Sequence, residues 1–144
     1  MRRRSLQRGT AAVELALLLP MLLMLTFMVA ECGRALMQYN TLAKSVRDAA
    51  RYLSVQTPGT RVAEARNLVV YGNTAGEGSP LVAGLTPANV PPPTWQAVGA
   101  APAIPVVTVQ VTGFRFTPMV RSVFGLAIGP FAFGPIAATM RSPG

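Results

Sequence analysis

The feature that most constrains this chain is an apolar run near its N-terminus that is long enough to cross a membrane. From Thr10 to Ala30 the only charged residue is Glu14. An α-helix rises about 1.5 Å per residue, so the run extends roughly 31 Å, which matches the hydrocarbon thickness of a bilayer. We therefore predict a transmembrane helix over residues 10–30. Pro20 is compatible with this helix because membrane helices tolerate proline with a mild kink.

The charges that flank the run predict its orientation. Thirteen residues of the chain are basic, and four of them precede the run: Arg2, Arg3, Arg4 and Arg8. Basic residues beside an apolar span are retained on the cytoplasmic side of the membrane. We expect a cytoplasmic N-terminus and a C-terminal part outside. The run ends without the small-residue cleavage site of a secretory signal, so we expect it to remain as an anchor.

Glu14 is the one acidic residue inside the apolar run, and two explanations for it are open. Near the cytoplasmic end of a span, a glutamate side chain can reach up to the headgroups. Alternatively, the carboxylate is kept for a cationic partner, because an unpaired charge in lipid costs roughly several kcal/mol.

The helical pattern continues beyond the span as an amphipathic stem over residues 31–55. At 3.6 residues per turn, apolar residues form one broad stripe, and most charged residues lie on the other side. The stripe packs on the chain's own outer domain or forms a seam with another subunit. Its members are Ala35, Leu36, Tyr39, Leu42, Ala43, Val46, Ala49, Ala50 and Leu53, whereas Arg34, Lys44, Arg47, Asp48 and Arg51 lie opposite.

Residues 56–144 are predicted to form an outer domain. After a turn-rich stretch, 61–71 reads as a short helix ended by glycine. The Gly- and Pro-rich stretch 72–105 reads as loop with one strand near positions 89–98. Residues 106–141 are predicted to be β-rich. The expected fold class is α+β: a long N-terminal transmembrane and stem helix packed against a small antiparallel β-sheet.

Within the β-rich part, residues 106–112 alternate between valine and polar residues, as in a half-buried strand. A bulge at Gly113 would keep the phenylalanines that follow it on the same face as those valines; otherwise they lie opposite. We expect one helical turn over 118–125. Residues 131–133 and 136–141 are predicted to form the final strand.

The composition argues against catalysis and against metal or cofactor binding. The chain has no histidine and one cysteine, Cys32, and its acidic residues are Glu14, Glu31, Asp48, Glu64 and Glu77. The glycine-rich stretch 72–78 lacks the lysine of a phosphate-binding loop. The net charge of +8 falls to +4 without the four arginines before the span, which are explained by membrane orientation. We therefore expect no enzyme activity, no cofactor, no metal and no nucleic acid partner.

Three stretches together carry a family resemblance: the residues from Arg8 to Pro20 (RGTAAVELALLLP), those from Glu31 to Leu36 (ECGRAL), and those from Ala49 to Tyr52 (AARY). They resemble the TadE family, pseudopilins of the tight-adherence (Flp) pilus system, and imply a pilin-like fold. Leu15 is a departure, since these pseudopilins often carry an aromatic residue there.

The resemblance implies that a prepilin peptidase cuts between Gly9 and Thr10, which removes the basic leader, residues 1–9. The carboxylate of Glu14 on an adjacent subunit would then neutralise the new ammonium of Thr10. Two charges that are separately costly in lipid become one compensated pair that sets subunit register.

The function implied is that of a minor pilin or pseudopilin supporting pilus assembly, adhesion and secretion, in a single-pass protein of the bacterial inner membrane. The implied partners are membrane lipid, the prepilin peptidase, a sister pseudopilin, the major pilin and the inner-membrane assembly platform. The sequence leaves open whether the protein enters the filament. The alternative is an unprocessed, signal-anchored envelope protein that acts as a scaffold or sensor.

Overall fold

One long helix dominates the computed structural model, which describes residues 4–123 and 125–142. Helix α1 comprises Arg4–Leu53, 50 residues that include Pro20. At about 1.5 Å per residue it is roughly 75 Å long. Its sequence is rich in alanine, leucine and methionine, which are strong helix formers. The structure confirms one continuous helix through the predicted span and stem.

The two halves of α1 lie in different surroundings. The most apolar window of the helix has no buried residue, although it is long and apolar enough to cross a membrane. The core helix of a water-soluble protein would instead be covered by its neighbours. This half is therefore compatible with a single-pass membrane helix, while the other half is covered by the rest of the chain.

The stem half of α1 packs against α2 and against strands of the outer domain. Most of the predicted stripe is buried, namely Ala35, Leu42, Val46, Ala49, Ala50 and Leu53. Leu36 and Tyr39 of the same stripe are 60% and 42% exposed. Leu36 lies roughly 120° around the axis from Leu42, at the edge of the stripe. The neighbouring elements cover a narrower arc than the apolar pattern suggests.

Helix α2, Val62–Tyr71, lies against the end of the stem and buries Ala65, Val69 and Val70. Gly72 follows in a left-handed conformation, with φ 75°, and its N–H donates to the Leu68 carbonyl. Glycine adopts this conformation without a steric penalty, which explains the helix stop.

The glycine- and proline-rich stretch after α2 is held to that helix by Arg66. The Arg66 Nε donates to the Val90 carbonyl at 2.9 Å, and Nη2 donates to the Pro87 carbonyl at 2.7 Å. These contacts fix a short 3₁₀ helix, Pro87–Asn89. The stretch also adds Val82, Leu85 and Val90 to the hydrophobic core.

The strands are β1 (Thr94–Val98), β2 (Ile104–Val111), β3 (Arg115–Phe116), β4 (Ser122–Val123), β5 (Leu126–Ala127), β6 (Phe131–Ala132) and β7 (Ile136–Arg141). The main sheet is antiparallel in the order β1–β2–β7. Val107, Val109 and Val111 of β2 are buried towards α1 and α2, as their alternation predicts. The α+β fold, with a long helix packed on a small antiparallel sheet, is confirmed.

Residues 114–133 differ from the predictions. The expected helical turn over 118–125 is wrong, because β4 and β5 pair as a hairpin; Phe124 lies outside the described residues. Short apolar runs do not distinguish strand from helix by periodicity. A bulge at Gly113 is also wrong, since β2 ends at Val111 and Gly113 turns the chain with φ 67°. The predicted final strand is divided between β6, which pairs with β3, and β7, which pairs with β2.

Candidate functional site

The residues predicted for processing lie on one face of α1 in its first turns. Gly9, Thr10, Val13, Glu14 and Leu17 line a shallow concave surface, and all of them are exposed. A Cβ added at Gly9 would meet no heavy atom within 4 Å. Packing within the chain therefore does not require glycine at this position, and its role must involve local helix stability or a partner.

The Glu14 carboxylate is exposed and has no hydrogen bond or ion pair with any residue that the structure describes. Thr10 precedes it by one helical turn, so the Cβ atoms of the two residues are about 5–6 Å apart. A positive charge at the Thr10 nitrogen would thus lie close to Glu14 of its own chain. Both groups are also open to a neighbouring helix.

Two of the four arginines predicted to set membrane orientation, Arg4 and Arg8, lie in the first turns of α1. Arg4 is its first described residue and Arg8 lies in its second turn. Arg2 and Arg3 lie outside the described residues. Residues 4–9 of the leader thus form one continuous helix with the apolar run.

A second site lies at the other end of the span, where α1 contacts the outer domain. The Glu31 carboxylate pairs with the Arg34 guanidinium at 2.9 Å, and the same Arg34 Nη2 donates to the Thr117 carbonyl at 2.8 Å. The backbone N–H of Met119 donates to Glu31 Oε1 at 3.2 Å. The Arg34 guanidinium carbon lies 4.7 Å from the centre of the Phe116 ring. We call these five residues the polar clamp.

The processing site and the α1 residues of the polar clamp, Glu31 and Arg34, lie within the segment that the family comparison matches. Residues 9–51 match the TadE-like protein family. The TadE-like match begins at Gly9 and ends in the last turn of α1, so it includes the span and the stem. It confirms the predicted family resemblance over this segment. No curated protein and no solved structure matches the chain.

Arg34 is the residue of the TadE-like segment whose environment the sequence analysis predicted wrongly. The helical pattern placed it on the solvated side, but its side chain is only 32% exposed. An arginine buries its apolar stem readily while its guanidinium keeps polar contacts. Glu31 and Arg34 are three residues apart on one helix, which places their side chains beside each other. The Thr117 carbonyl is 83 residues away along the chain, and no local pattern reveals such a contact.

An aromatic cluster reinforces the clamp and was not predicted. The centre of the Phe133 ring lies 5.6 Å from that of Tyr39 of the TadE-like segment, in an edge-to-face arrangement. It lies 5.9 Å from the centre of the Phe114 ring, on which it stacks. Phe116 and Phe131, which belong to paired strands, are 5.0 Å apart. Such pairs contribute about 0.5–1.5 kcal/mol each beyond area burial. The cluster and the clamp together hold residues 114–133 against α1.

The ionic chemistry outside the TadE-like segment centres on the first turn of α2. Arg61 Nη1 donates to Glu64 Oε1 at 2.9 Å, and this hydrogen bond lowers the pKa of Glu64 below its ordinary value. The same partner raises the pKa of Arg61. Among the residues that the structure describes, no three His, Cys, Asp or Glu side chains are grouped to hold a metal ion. The Arg61–Glu64 contact is an ordinary surface ion pair.

Proposed function

We propose that this protein is a pseudopilin or minor pilin that supports assembly of a tight-adherence pilus and is processed by a prepilin peptidase. The observation that carries the proposal is the position of the TadE-like match, which begins at Gly9. From there α1 continues without interruption into the outer domain. The role is structural rather than enzymatic, and it depends on packing between helices of several subunits.

The geometry of α1 supports cleavage between Gly9 and Thr10. This peptide bond lies in the second turn of α1 as the structure describes it, close to a helix end, and helix ends are held by fewer backbone hydrogen bonds than helix interiors. Glycine in a helix costs about 1 kcal/mol relative to alanine, which lowers the free energy needed to unwind this end. A peptidase can therefore open the first turns without disturbing the stem, and cleavage removes the leader with Arg2, Arg3, Arg4 and Arg8.

Cleavage would place an ammonium at Thr10, one turn before Glu14. An ammonium at a helix N-terminus is opposed by the helix dipole, whereas a carboxylate in the first turns is favoured. In a subunit that has not yet assembled, the Thr10 ammonium and the Glu14 carboxylate of the same chain can neutralise each other. We propose that assembly exchanges this contact for pairing of Glu14 with Thr10 of an adjacent subunit, which sets the register of the packed spans.

The proposed location is the bacterial inner membrane, with the N-terminus in the cytoplasm and residues 56–144 outside. The exposed apolar half of α1 offers a packing surface for a sister pseudopilin and the major pilin. The assembly platform in the same membrane would receive the processed subunit. Membrane lipid covers the span before assembly.

The processing step is tested by comparing Gly9→Val with Gly33→Val in cells that make the pilus. Both glycines are in α1 and a Cβ at either meets no heavy atom within 4 Å, so the intrachain cost of the two substitutions is similar. We expect intact-mass measurement to show that residues 1–9 are retained only in Gly9→Val, and we expect that variant to make no pili. Retention of Met1–Gly9 in the wild-type protein would instead favour a signal-anchored scaffold or sensor.

The register role is tested by Glu14→Ala, with Leu15→Ala as the matched control on the same exposed turn of α1. We expect Glu14→Ala to insert and to be cut normally but to abolish assembly, because an unpaired ammonium would remain in the packed spans. Leu15→Ala should still assemble. Normal pili from Glu14→Ala would contradict the pairing of Glu14 with Thr10.

A further inference from the structure

An apolar groove lies between the outer end of the span and residues 116–131 of the outer domain. One wall consists of Met24, Phe27, Met28, Glu31 and Cys32 of α1. The other wall consists of Phe116, Pro118, Val120, Ile128 and Phe131, and the groove encloses about 200 Å³. Its surface is almost wholly apolar.

The height of this groove along α1 places it within the outer leaflet. Glu31 is the first charged residue after the apolar run, and Met24 precedes Ala30 by six residues. At about 1.5 Å per residue, Met24 lies roughly 9 Å below the end of the run. Each interfacial region of a bilayer is about 5–8 Å thick. The segment that faces Met24 across the groove therefore reaches the boundary between headgroups and acyl chains.

The composition of the segment fits contact with lipid. Met119 is 77% exposed and Phe131 is 47% exposed, although both are apolar. Arg121 is exposed on this segment, and Arg115, which directly precedes it, is exposed too. The chain has no acidic residue after Glu77, so every charged residue from position 78 onward is an arginine. Exposed apolar side chains beside arginines are typical of surfaces that bind anionic headgroups.

The backbone of the segment is also suited to this depth. Polar backbone groups near hydrocarbon must have partners. Strand β3 pairs with β6, strand β4 pairs with β5, and the Ile128 N–H donates to the Arg121 carbonyl at 2.8 Å. The polar clamp satisfies the Met119 N–H and the Thr117 carbonyl.

We propose that residues 116–131 form a second membrane contact, in which an acyl chain of an outer-leaflet phospholipid occupies the groove and the arginines contact its phosphate region. The proposal depends on α1 spanning the membrane as proposed above. It gives the outer domain a fixed height and tilt, because the domain touches the membrane beside the helix as well as through it.

The test uses the full-length protein in vesicles of phosphatidylethanolamine and phosphatidylglycerol. In a Cys32→Ser background, single cysteines at Met119→Cys, Leu19→Cys and Val55→Cys carry an environment-sensitive fluorophore. Lipids that carry a quencher either near the headgroup or at the end of an acyl chain are added, so that labels at both depths can be quenched. Met119, Leu19 and Val55 are 77%, 49% and 74% exposed, so each accepts a label. Val55 follows the far end of α1, about 36 Å along the helix from Glu31.

We expect the label at Met119 to lose most of its fluorescence to the lipid quencher, as the label at Leu19 does, while the label at Val55 keeps its fluorescence. If Met119 behaves like Val55 while Leu19 is quenched, the second contact is refuted and the membrane span stands. If Leu19 is not quenched, the span and this proposal both fail. An oxidised dimer of the wild-type protein through Cys32, together with an unquenched Met119, would show that a second copy covers the groove and would also refute the proposal.

Discussion

Replacing Arg34 with methionine should release residues 114–120 from α1 without unfolding the outer domain. Methionine keeps an apolar stem of similar length over the Phe116 ring but removes the guanidinium. The substitution therefore isolates the polar contacts of the clamp: the ion pair with Glu31, the hydrogen bond to the Thr117 carbonyl and the cation–π contact.

The size of the effect follows from these contacts. A cation–π contact at a partly exposed site contributes about 0.5–1 kcal/mol. A hydrogen bond from a charged donor contributes about 1.5 kcal/mol when solvent reaches it, and an ion pair between residues one turn apart on a helix contributes about 0.3–0.5 kcal/mol. Against this, Arg34 Nε is buried without a hydrogen-bond partner among the described residues, and removing it returns about 1 kcal/mol. The expected net loss is about 1–2 kcal/mol.

A loss of that size should increase local opening by about 5- to 30-fold. Hydrogen exchange with mass-spectrometric detection of peptides over 114–120 measures it directly in the full-length protein. The matched control is Arg47→Met, because the exposed Arg47 donates to the Ala43 carbonyl of its own helix. Exchange in 114–120 that is unchanged in Arg34→Met, or that rises equally in Arg47→Met, would refute the clamp as the fastening of this segment.

Two further predictions concern the stem and α2. Leu42→Ala should lower the free energy of unfolding by about 2–5 kcal/mol because Leu42 is fully buried, whereas Leu36→Ala should change it by less than about 0.5 kcal/mol. Denaturant titration in detergent compares the two variants. Equal losses would contradict the packing described. The Arg61 hydrogen bond lowers the pKa of Glu64 in the folded protein. The pair therefore stabilises the fold above the ordinary carboxyl pKa of 4.5. This stabilisation is lost as the pH falls through the lowered pKa of Glu64 in the folded protein. Arg61→Gln should raise the pKa of Glu64 in an NMR titration, and an unchanged pKa would rule out this hydrogen bond as its cause.

Much of the architecture could be predicted from local patterns. The length of the apolar run determines a helix that can cross a bilayer, and the absence of proline between Pro20 and Pro58 lets that helix continue as the stem. The valine alternation in β2 places Val107 and its neighbours on one face. The residues from Gly9 onward were sufficient for the family resemblance, which the match over 9–51 confirms.

The sequence by itself therefore determined a helix that is long and apolar enough to cross a membrane, its continuation as the stem, and the candidate processing face. Each of these depends on residues within a few helical turns of one another. The tertiary structure alone decided that Leu36 is exposed and that Arg34 lies against Phe116. It also decided that residues 116–131 lie beside residues 24–32 of α1. Those outcomes depend on contacts between residues more than eighty positions apart, such as Arg34 with Thr117. Helical and strand periodicities report which face of an element is apolar, but not which other element covers it.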